Sequence, residues 1–350
     1  MAIRYSNGEY LSSASWTQNI APFLKRVSYK GFLRLPSMLV NGLLIKPTNS
    51  YLRFKNKQLA CKKLDQRNFD VFHPTYYAPY FLRHIGNKPF VLTIHDLIHE
   101  RFPQYYISQK QVSNWKSQLI PKASKIIAVS NFTKNDILSY YQVSPERIAV
   151  VYHGNSLDVN NTLWTDEIQN LKLPQRYLLY IGDRKGYKNF NFFIECVSEI
   201  LVKDRSLHIV CGGGPCFSTE ENSMYHMYNI QEQVHHEPIH SDAQLIALYK
   251  RALAFVFPSL YEGFGIPVLE AFACNCPLII CNAGALPEIA GDACLKFEPH
   301  DKQSLVSSIE EILSSDNLRK MLIAAGKIRE REFSWNRAAN ETKQVYTSLL

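Results

Sequence analysis

The sequence predicts an open, doubly wound α/β fold divided into two domains. From about residue 68 onward, short apolar runs alternate with helical stretches, as in parallel strands covered by helices. Each run stops at a polar residue or a glycine, where loops at the carboxyl ends of parallel strands begin. A polar stretch over 155–174 interrupts the alternation, and Pro174 precedes a fresh run, so the chain divides there. A length of 350 residues suits two such units.

Taken in order, the first domain (1–170) has apolar runs at 69–72, 90–94, 125–129 and 148–152, followed by His73, His95, Ser130 and His153. Ser130-Asn131-Phe132-Thr133 reads as a helix N-cap, and Asp96 as the cap of a turn. The second domain (171–335) has runs at 177–181, 207–211, 253–257 and 277–281, followed by Gly182, Gly212, Pro258 and Asn282. Ligands of open α/β sheets bind beyond the carboxyl ends of strands, so these terminal residues are the candidates for chemistry. The glycine run at 212–214 is not a phosphate loop of the Walker type, because no Lys-Ser/Thr follows it.

Composition narrows the function classes. An apolar share of 46% with 12% aromatics supports packed cores. The eight cysteines are scattered, and Cys274-Asn275-Cys276 has no matching pair, so reduced thiols and no metal site are expected. No apolar run reaches the ~18 residues of a membrane span, and no secretory signal opens the chain; a cytoplasmic protein is expected. Charge is uneven: residues 1–63 hold eleven Lys/Arg against Glu9 alone, within a formal net charge of +8. Basic and bulky apolar side chains interleave from Phe23 to Leu35. Residues 23–63 are therefore a candidate for peripheral contact with an anionic membrane face, a solvated helix face being the alternative. No nucleic-acid module accompanies the charge.

The densest signal is Pro258-Ser259-Leu260-Tyr261-Glu262-Gly263-Phe264-Gly265-Ile266-Pro267-Val268-Leu269-Glu270. It follows a strand and runs into a helix beginning near Pro267, a residue suited to a first helical turn. Backbone amides at such a helix start form an anion site, and Gly263 and Gly265 allow close backbone approach. Glu270, one turn into the helix, reaches back over it. Amides for an anion and carboxylates for hydroxyls together point to a sugar nucleotide.

This stretch resembles the E-x7-E signature of retaining glycosyltransferases of family 4, with Glu262 and Glu270 in the two positions. The resemblance covers roughly residues 68–340 and implies the GT-B fold, two Rossmann-like domains facing across a cleft. It implies that the final helix (336–350) packs back on the first domain. It also implies an opening strand with a Gly-Gly loop, which residues 1–44 lack, so the first βα unit is expected to be missing or atypical. The activity implied is metal-independent transfer of a hexose from a nucleotide-diphosphate sugar, GDP-mannose favoured, to a glycan or lipid-linked saccharide. A donor-binding but inactive homologue is the alternative.

By the same resemblance Glu262 holds donor-sugar hydroxyls and His95 touches the donor sugar near the leaving oxygen. The amides of Phe264, Gly265 and Ile266 help Glu262 there, Arg184 and Lys188 clamp the diphosphate, Gly182 belongs to the donor-binding loop, and Glu270 takes the ribose. No D-x-D motif occurs in the chain, so fixed cations and amides are expected to stabilise the leaving group instead of a metal or other cofactor. His73, Tyr76 and Tyr77, on an aromatic strand-end loop, are candidates for the acceptor wall. A glycosidase-type acid and nucleophile pair of glutamates would leave the basic loop and the helix start without a role.

Overall fold

The computed structural model describes residues 2–6, 9–11, 45–159 and 171–350. The basic segment 23–44 lies outside the described residues. In the first domain the elements are β1 (Ala2–Ser6), β2 (Glu9–Leu11), α1 (Ile45–Asp65), β3 (Val71–Phe72), β4 (Val91–Ile94), α2 (Ile98–Arg101), α3 (Lys110–Leu119), β5 (Lys125–Ala128), α4 (Asn131–Tyr140) and β6 (Ile148–Val150). Strands β4, β5 and β6 pair in parallel in that order, and a parallel bridge between Phe72 and Phe90 brings β3 alongside. β1 instead pairs antiparallel with both β2 and β3. β2, β1 and β3 thus form a three-stranded sheet in that order.

The second domain comprises β7 (Tyr177–Ile181), α5 (Phe190–Lys203), β8 (His208–Gly212), α6 (Thr219–Met227), β9 (Val234–Glu237), α7 (Asp242–Arg251), β10 (Ala254–Phe257), α8 (Ile266–Ala273), β11 (Leu278–Cys281), α9 (Leu286–Ala290), β12 (Leu295–Phe297), α10 (Lys302–Ser314) and α11 (Asp316–Glu330). Its six strands are all parallel, in the order β12-β11-β10-β7-β8-β9. The order reverses between β7 and β10. Their carboxyl ends therefore diverge into a crevice, the topological switch point of a doubly wound sheet.

Why the central strands read as unbroken apolar runs is plain from their surroundings. Tyr177 and Leu179 of β7, Phe255 and Phe257 of β10, and Leu278 and Ile280 of β11 belong to one buried cluster. Their neighbours Leu178, Tyr180, Ala254, Val256, Ile279 and Cys281 belong to the cluster on the opposite face. A strand covered on both faces needs apolar side chains at every position. All eight cysteines are free thiols, six of them buried.

The final helix, α12 (Trp335–Thr347), leaves the second domain and lies on the first sheet. Its Ala338, Val345 and Tyr346 pack against Val71, Val91, Ile127 and Val151. Gly154 lets it approach: a Cβ there would collide with the Trp335 amide nitrogen and sit 2.7 Å from the Ser334 carbonyl carbon. Backbone cannot yield as a side-chain tip can. Gly154→Ala should therefore destabilise the protein by about 1–3 kcal/mol, the usual cost of overpacking. Thermal melts of the two proteins check this, and an unchanged Tm would show that the helix docks loosely.

Candidate active site

The loops after β7 and β10 meet above the crevice. From the first comes Lys188, in a short turn that ends on the left-handed Asn189 and leads into α5. From the second comes Glu262, whose Oε1 lies 2.7 Å from the Lys188 Nζ, with 21% and 16% of the two side chains exposed. Two residues 74 positions apart thus form one ion pair over the switch point. Gly182, φ +110, stands at the end of β7 with open space within 4 Å of where a Cβ would be.

Helix α8 starts at Ile266 with Pro267 in its first turn, behind Gly265 at φ +98. That left-handed φ is the glycine requirement at 265. Gly263 is needed for a different reason than ligand approach: a Cβ would collide with the His95 carbonyl oxygen of the first domain. The amides of Phe264, Gly265 and Ile266 thus lie at the start of a helix where first-turn N–H groups lack intrahelical partners. Glu270 sits one turn on. The Tyr249 hydroxyl donates to its Oε2 at 3.0 Å, while burial raises its pKa.

Arg184 has a protein partner on its own domain. It is 4% exposed, and its Nε donates to Glu221 Oε1 at 2.6 Å. A second nitrogen donates to the Pro215 carbonyl, and the guanidinium lies 4.9 Å from the Phe217 ring. Glu221 is the third residue of α6 and completes a capping box with Ser218. Arg184 is thus paired with Glu221, its Nη1 is left buried without a hydrogen-bond partner among the described residues, and Lys188 is the cation that pairs with Glu262.

Across the cleft, His95 opens to solvent at the end of β4. Its ring stacks on His153 at 5.6 Å, and His153 meets Phe264 at 5.1 Å and Trp335 at 5.3 Å. Tyr77 is buried; its hydroxyl accepts from the His95 amide at 3.1 Å, so it supports His95 as much as it forms a wall. Tyr76 is 54% exposed. His73 bonds Tyr346 at 2.6 Å and Thr93 at 2.9 Å. Together His73, Tyr76, His95, His153, Trp335 and Tyr346 line much of a cavity of about 530 Å³ between the strand ends and α12. None of its lining residues is Lys, Arg, Asp or Glu. Burial lowers the pKa of His73 and His153 to about 4 and also lowers that of His95, which favours neutral imidazoles in the cavity at neutral pH.

Several residues that matter here carried no sequence signal for the cleft. Ser130 caps α4 as expected, but its hydroxyl also donates to the Gly263 carbonyl at 2.6 Å, joined by Thr133 at 3.0 Å. Glu288 of the second domain accepts the Asn131 and Phe132 amides at 2.8 and 2.9 Å. Buried Lys116 holds the loop after β4 through the Asp96 carbonyl at 2.9 Å and Glu100 at 3.1 Å. Among the described residues no group of three or more His, Cys, Asp or Glu is placed to hold a metal ion.

Two doubly wound domains with facing strand-end loops make the GT-B fold, a glycosyltransferase architecture. Residues 34–159 match the family model described as Glycosyltransferase Family 4, and residues 165–329 match Glycosyl transferases group 1. The chain is 26% identical over 327 residues to O-antigen chain mannosyltransferase B of Escherichia coli, covering 91% of this chain and 82% of that protein. It is 27% identical over 261 residues to O-antigen chain mannosyltransferase RfbU of Salmonella typhimurium, covering 75% and 66%. Among solved structures, sucrose-phosphate synthase from Thermosynechococcus elongatus superposes with a TM-score of 0.67 at 20% identity, covering 80% of this chain and 74% of that one. Anabaena HepE, solved with UDP and glucose, gives 0.64 at 18%, covering 83% and 80%. The chain belongs to glycosyltransferase family 4 and is a glycosyltransferase enzyme.

Two expectations follow from this geometry. His73 and His153 bind fewer protons folded than unfolded between their folded pKa of about 4 and the ordinary value of 6.5. Unfolding therefore gains protons in that window, and stability falls as pH drops from 6.5 towards 4. Melts at pH 7 and pH 4.5 should show the loss, and His153→Gln should show less of it. For Arg184, Arg184→Ala leaves Glu221 unpaired in a buried setting and should cost about 3–5 kcal/mol of stability. A large drop in Tm with turnover per folded molecule retained would agree, whereas lost turnover at wild-type Tm would return Arg184 to the diphosphate.

Proposed function

We propose that this enzyme is a retaining, metal-independent mannosyltransferase that moves the sugar of GDP-mannose onto an uncharged saccharide terminus. The observation that carries it is the Lys188–Glu262 pair, 2.7 Å apart at the switch point beside the start of α8. A diphosphate arriving there draws Lys188 away from Glu262, because it carries more charge than one carboxylate. Lys188 and the amides at 264–266 then neutralise the leaving group as the bond from C1 to the phosphate oxygen breaks, a preorganised electrostatic role. Glu262, released from Lys188, accepts hydrogen bonds from the sugar hydroxyls. Glu270, held by Tyr249, accepts from the ribose. The acceptor oxygen bonds C1 on the face the diphosphate leaves, and the departing phosphate takes its proton.

The preference for mannose rests on the O-antigen mannosyltransferases to which the chain is similar. The cavity lined by His73, Tyr76, Tyr77, His95 and Trp335 is the one that suits the acceptor in this reading. Aromatic faces suit sugar rings, and an uncharged lining suits a neutral sugar better than a phosphate. The exposed Lys57, Leu59, Lys62 and Lys63 of α1 belong to the stretch 23–63 and suit peripheral contact with an anionic membrane face. No helix among the described residues is long and apolar enough to cross a membrane.

The test is a screen for nucleoside diphosphate release from GDP-, UDP- and ADP-sugars with EDTA present. GDP-mannose should be turned over in EDTA, and Lys188→Ala and Glu262→Ala should each lower the rate by about 10²–10³-fold. Release from a UDP-sugar alone would overturn the donor assignment. Binding of a nucleotide with no turnover of any donor, even with saccharide acceptors, would favour a non-catalytic homologue.

A further inference from the structure

The residue just before Glu262 does more than fill the interface. Tyr261 belongs to the second domain, yet it is 1% exposed and inserted into the first. Its hydroxyl donates to Asp136 Oδ2 of α4 at 2.7 Å and accepts the Leu97 amide at 2.9 Å. Its ring stands edge-on to Phe102 at 5.8 Å and to Phe132 at 5.5 Å. On the other side of Glu262, the Gly263 carbonyl accepts from Ser130 and Thr133 of the first domain. Glu262 itself is tied to its own domain, since its carbonyl accepts the Ala285 amide at 3.0 Å.

We propose that Tyr261 is a positioning residue that couples closure of the two domains to the placement of Glu262, acting through Asp136 and the Leu97 amide. This rests on the chain being a glycosyltransferase and not on the identity of its donor. Both neighbours of Glu262 are pinned to the first domain. If the domains part, the loop loses the Tyr261 and Gly263 tethers together, and the carboxylate loses the frame that aims it. The tie is polar and fully paired: the hydroxyl gives one hydrogen bond and takes one. Burial raises the pKa of Asp136, and the Tyr261 hydroxyl opposes that rise, which agrees with a carboxylate that depends on this donor. Lys116 and Glu100 hold the facing 95–97 loop from behind, so the Leu97 amide is a fixed target.

Tyr261→Phe keeps the ring and removes only the hydroxyl. Turnover would be read as nucleoside diphosphate release from the same panel of GDP-, UDP- and ADP-sugars. Failure of GDP-mannose alone would then strike the donor assignment and leave this test standing. The expected result is a fall in kcat of about 10–100-fold, the scale of a misplaced catalytic group. The Kd for the nucleoside diphosphate should stay within about twofold, because the residues expected to hold the nucleotide all belong to the second domain. Asp136→Asn keeps an accepting oxygen and should lose at most a few-fold. Tyr261→Phe combined with Asp136→Leu should be no slower than the slower single variant, as for two partners in one bond. Wild-type kcat in a folded Tyr261→Phe protein would overturn the proposal, and so would a loss of nucleotide binding equal to the loss of kcat.

Hydrogen exchange supplies a second reading that needs no turnover. Tyr261→Phe should speed amide exchange in 95–99 and 130–137 together while β7, β8 and β10 stay protected. Exchange unchanged in both facing segments would equally overturn it.

Discussion

Everything at the cleft depends on one close approach, that of the Tyr261–Gly263 turn to the His95–Leu97 turn. The two backbones come so near that position 263 has no room for a side chain, since a Cβ would strike the His95 carbonyl oxygen. That approach sets the turn that carries Glu262 directly against the turn that carries His95, although they belong to different domains. It also explains why the surroundings are so thoroughly hydrogen-bonded. Burying a polar backbone turn between two domains is costly unless its groups find partners. Here the Gly263 carbonyl, the Leu97 amide and the Asp96 carbonyl all do so, from Ser130 and Thr133, Tyr261, and Lys116 respectively.

The two cations of the 182–189 loop separate on energetic grounds. Arg184 and Glu221 are nearly enclosed, with side-chain exposures of 2% and 15%. Removing either partner would strand a charge in a poorly solvated place, at a cost of about 3–5 kcal/mol. In the Lys188–Glu262 pair the carboxylate is as enclosed as Glu221 but the cation is more open to water, at 21% against 2% for Arg184. An incoming polyanion can exchange with the second pair far more readily than with the first.

Legibility followed burial. Strands sandwiched by helices, such as Leu-Leu-Tyr in β7 and Leu-Ile-Ile in β11, announce themselves as apolar runs. β9, reading Val-His-His-Glu, and β12, reading Leu-Lys-Phe, were not anticipated. Both are edge strands of the second sheet, held by pairing on one side and by fewer apolar contacts, so hydropathy barely marks them. At the site, the glycine-rich turn with its two carboxylates was readable because backbone geometry restricts the residue types there. The destination of Arg184 was not. Ser218-x-x-Glu221 can be recognised as a helix start, but nothing local says that a strand-end arginine will lie beside it. The links across the cleft, from Ser130, Asp136 and Glu288, were hidden for the same reason: each reads as ordinary capping or helix surface until the other domain is brought against it.

The return of α12 to the first domain closes the cavity at the first domain's strand ends. Trp335 reaches His153, whose ring spans from His95 to Phe264, so the final helix touches both halves of the site through one histidine. The Trp335 indole also donates to the Ser156 hydroxyl at 2.9 Å, next to the 160–170 connection. A domain movement that opened the cleft would have to carry α12 with the first sheet, because its apolar face is buried there. Opening would separate Phe264 from His153 and Tyr261 from Asp136 in one motion. The cavity would keep its His73, Tyr76 and Trp335 walls, since these stay with the first domain. The cavity of the first domain and the Lys188–Glu262 pair of the second would then lie on separate bodies, and only closure would set them against each other.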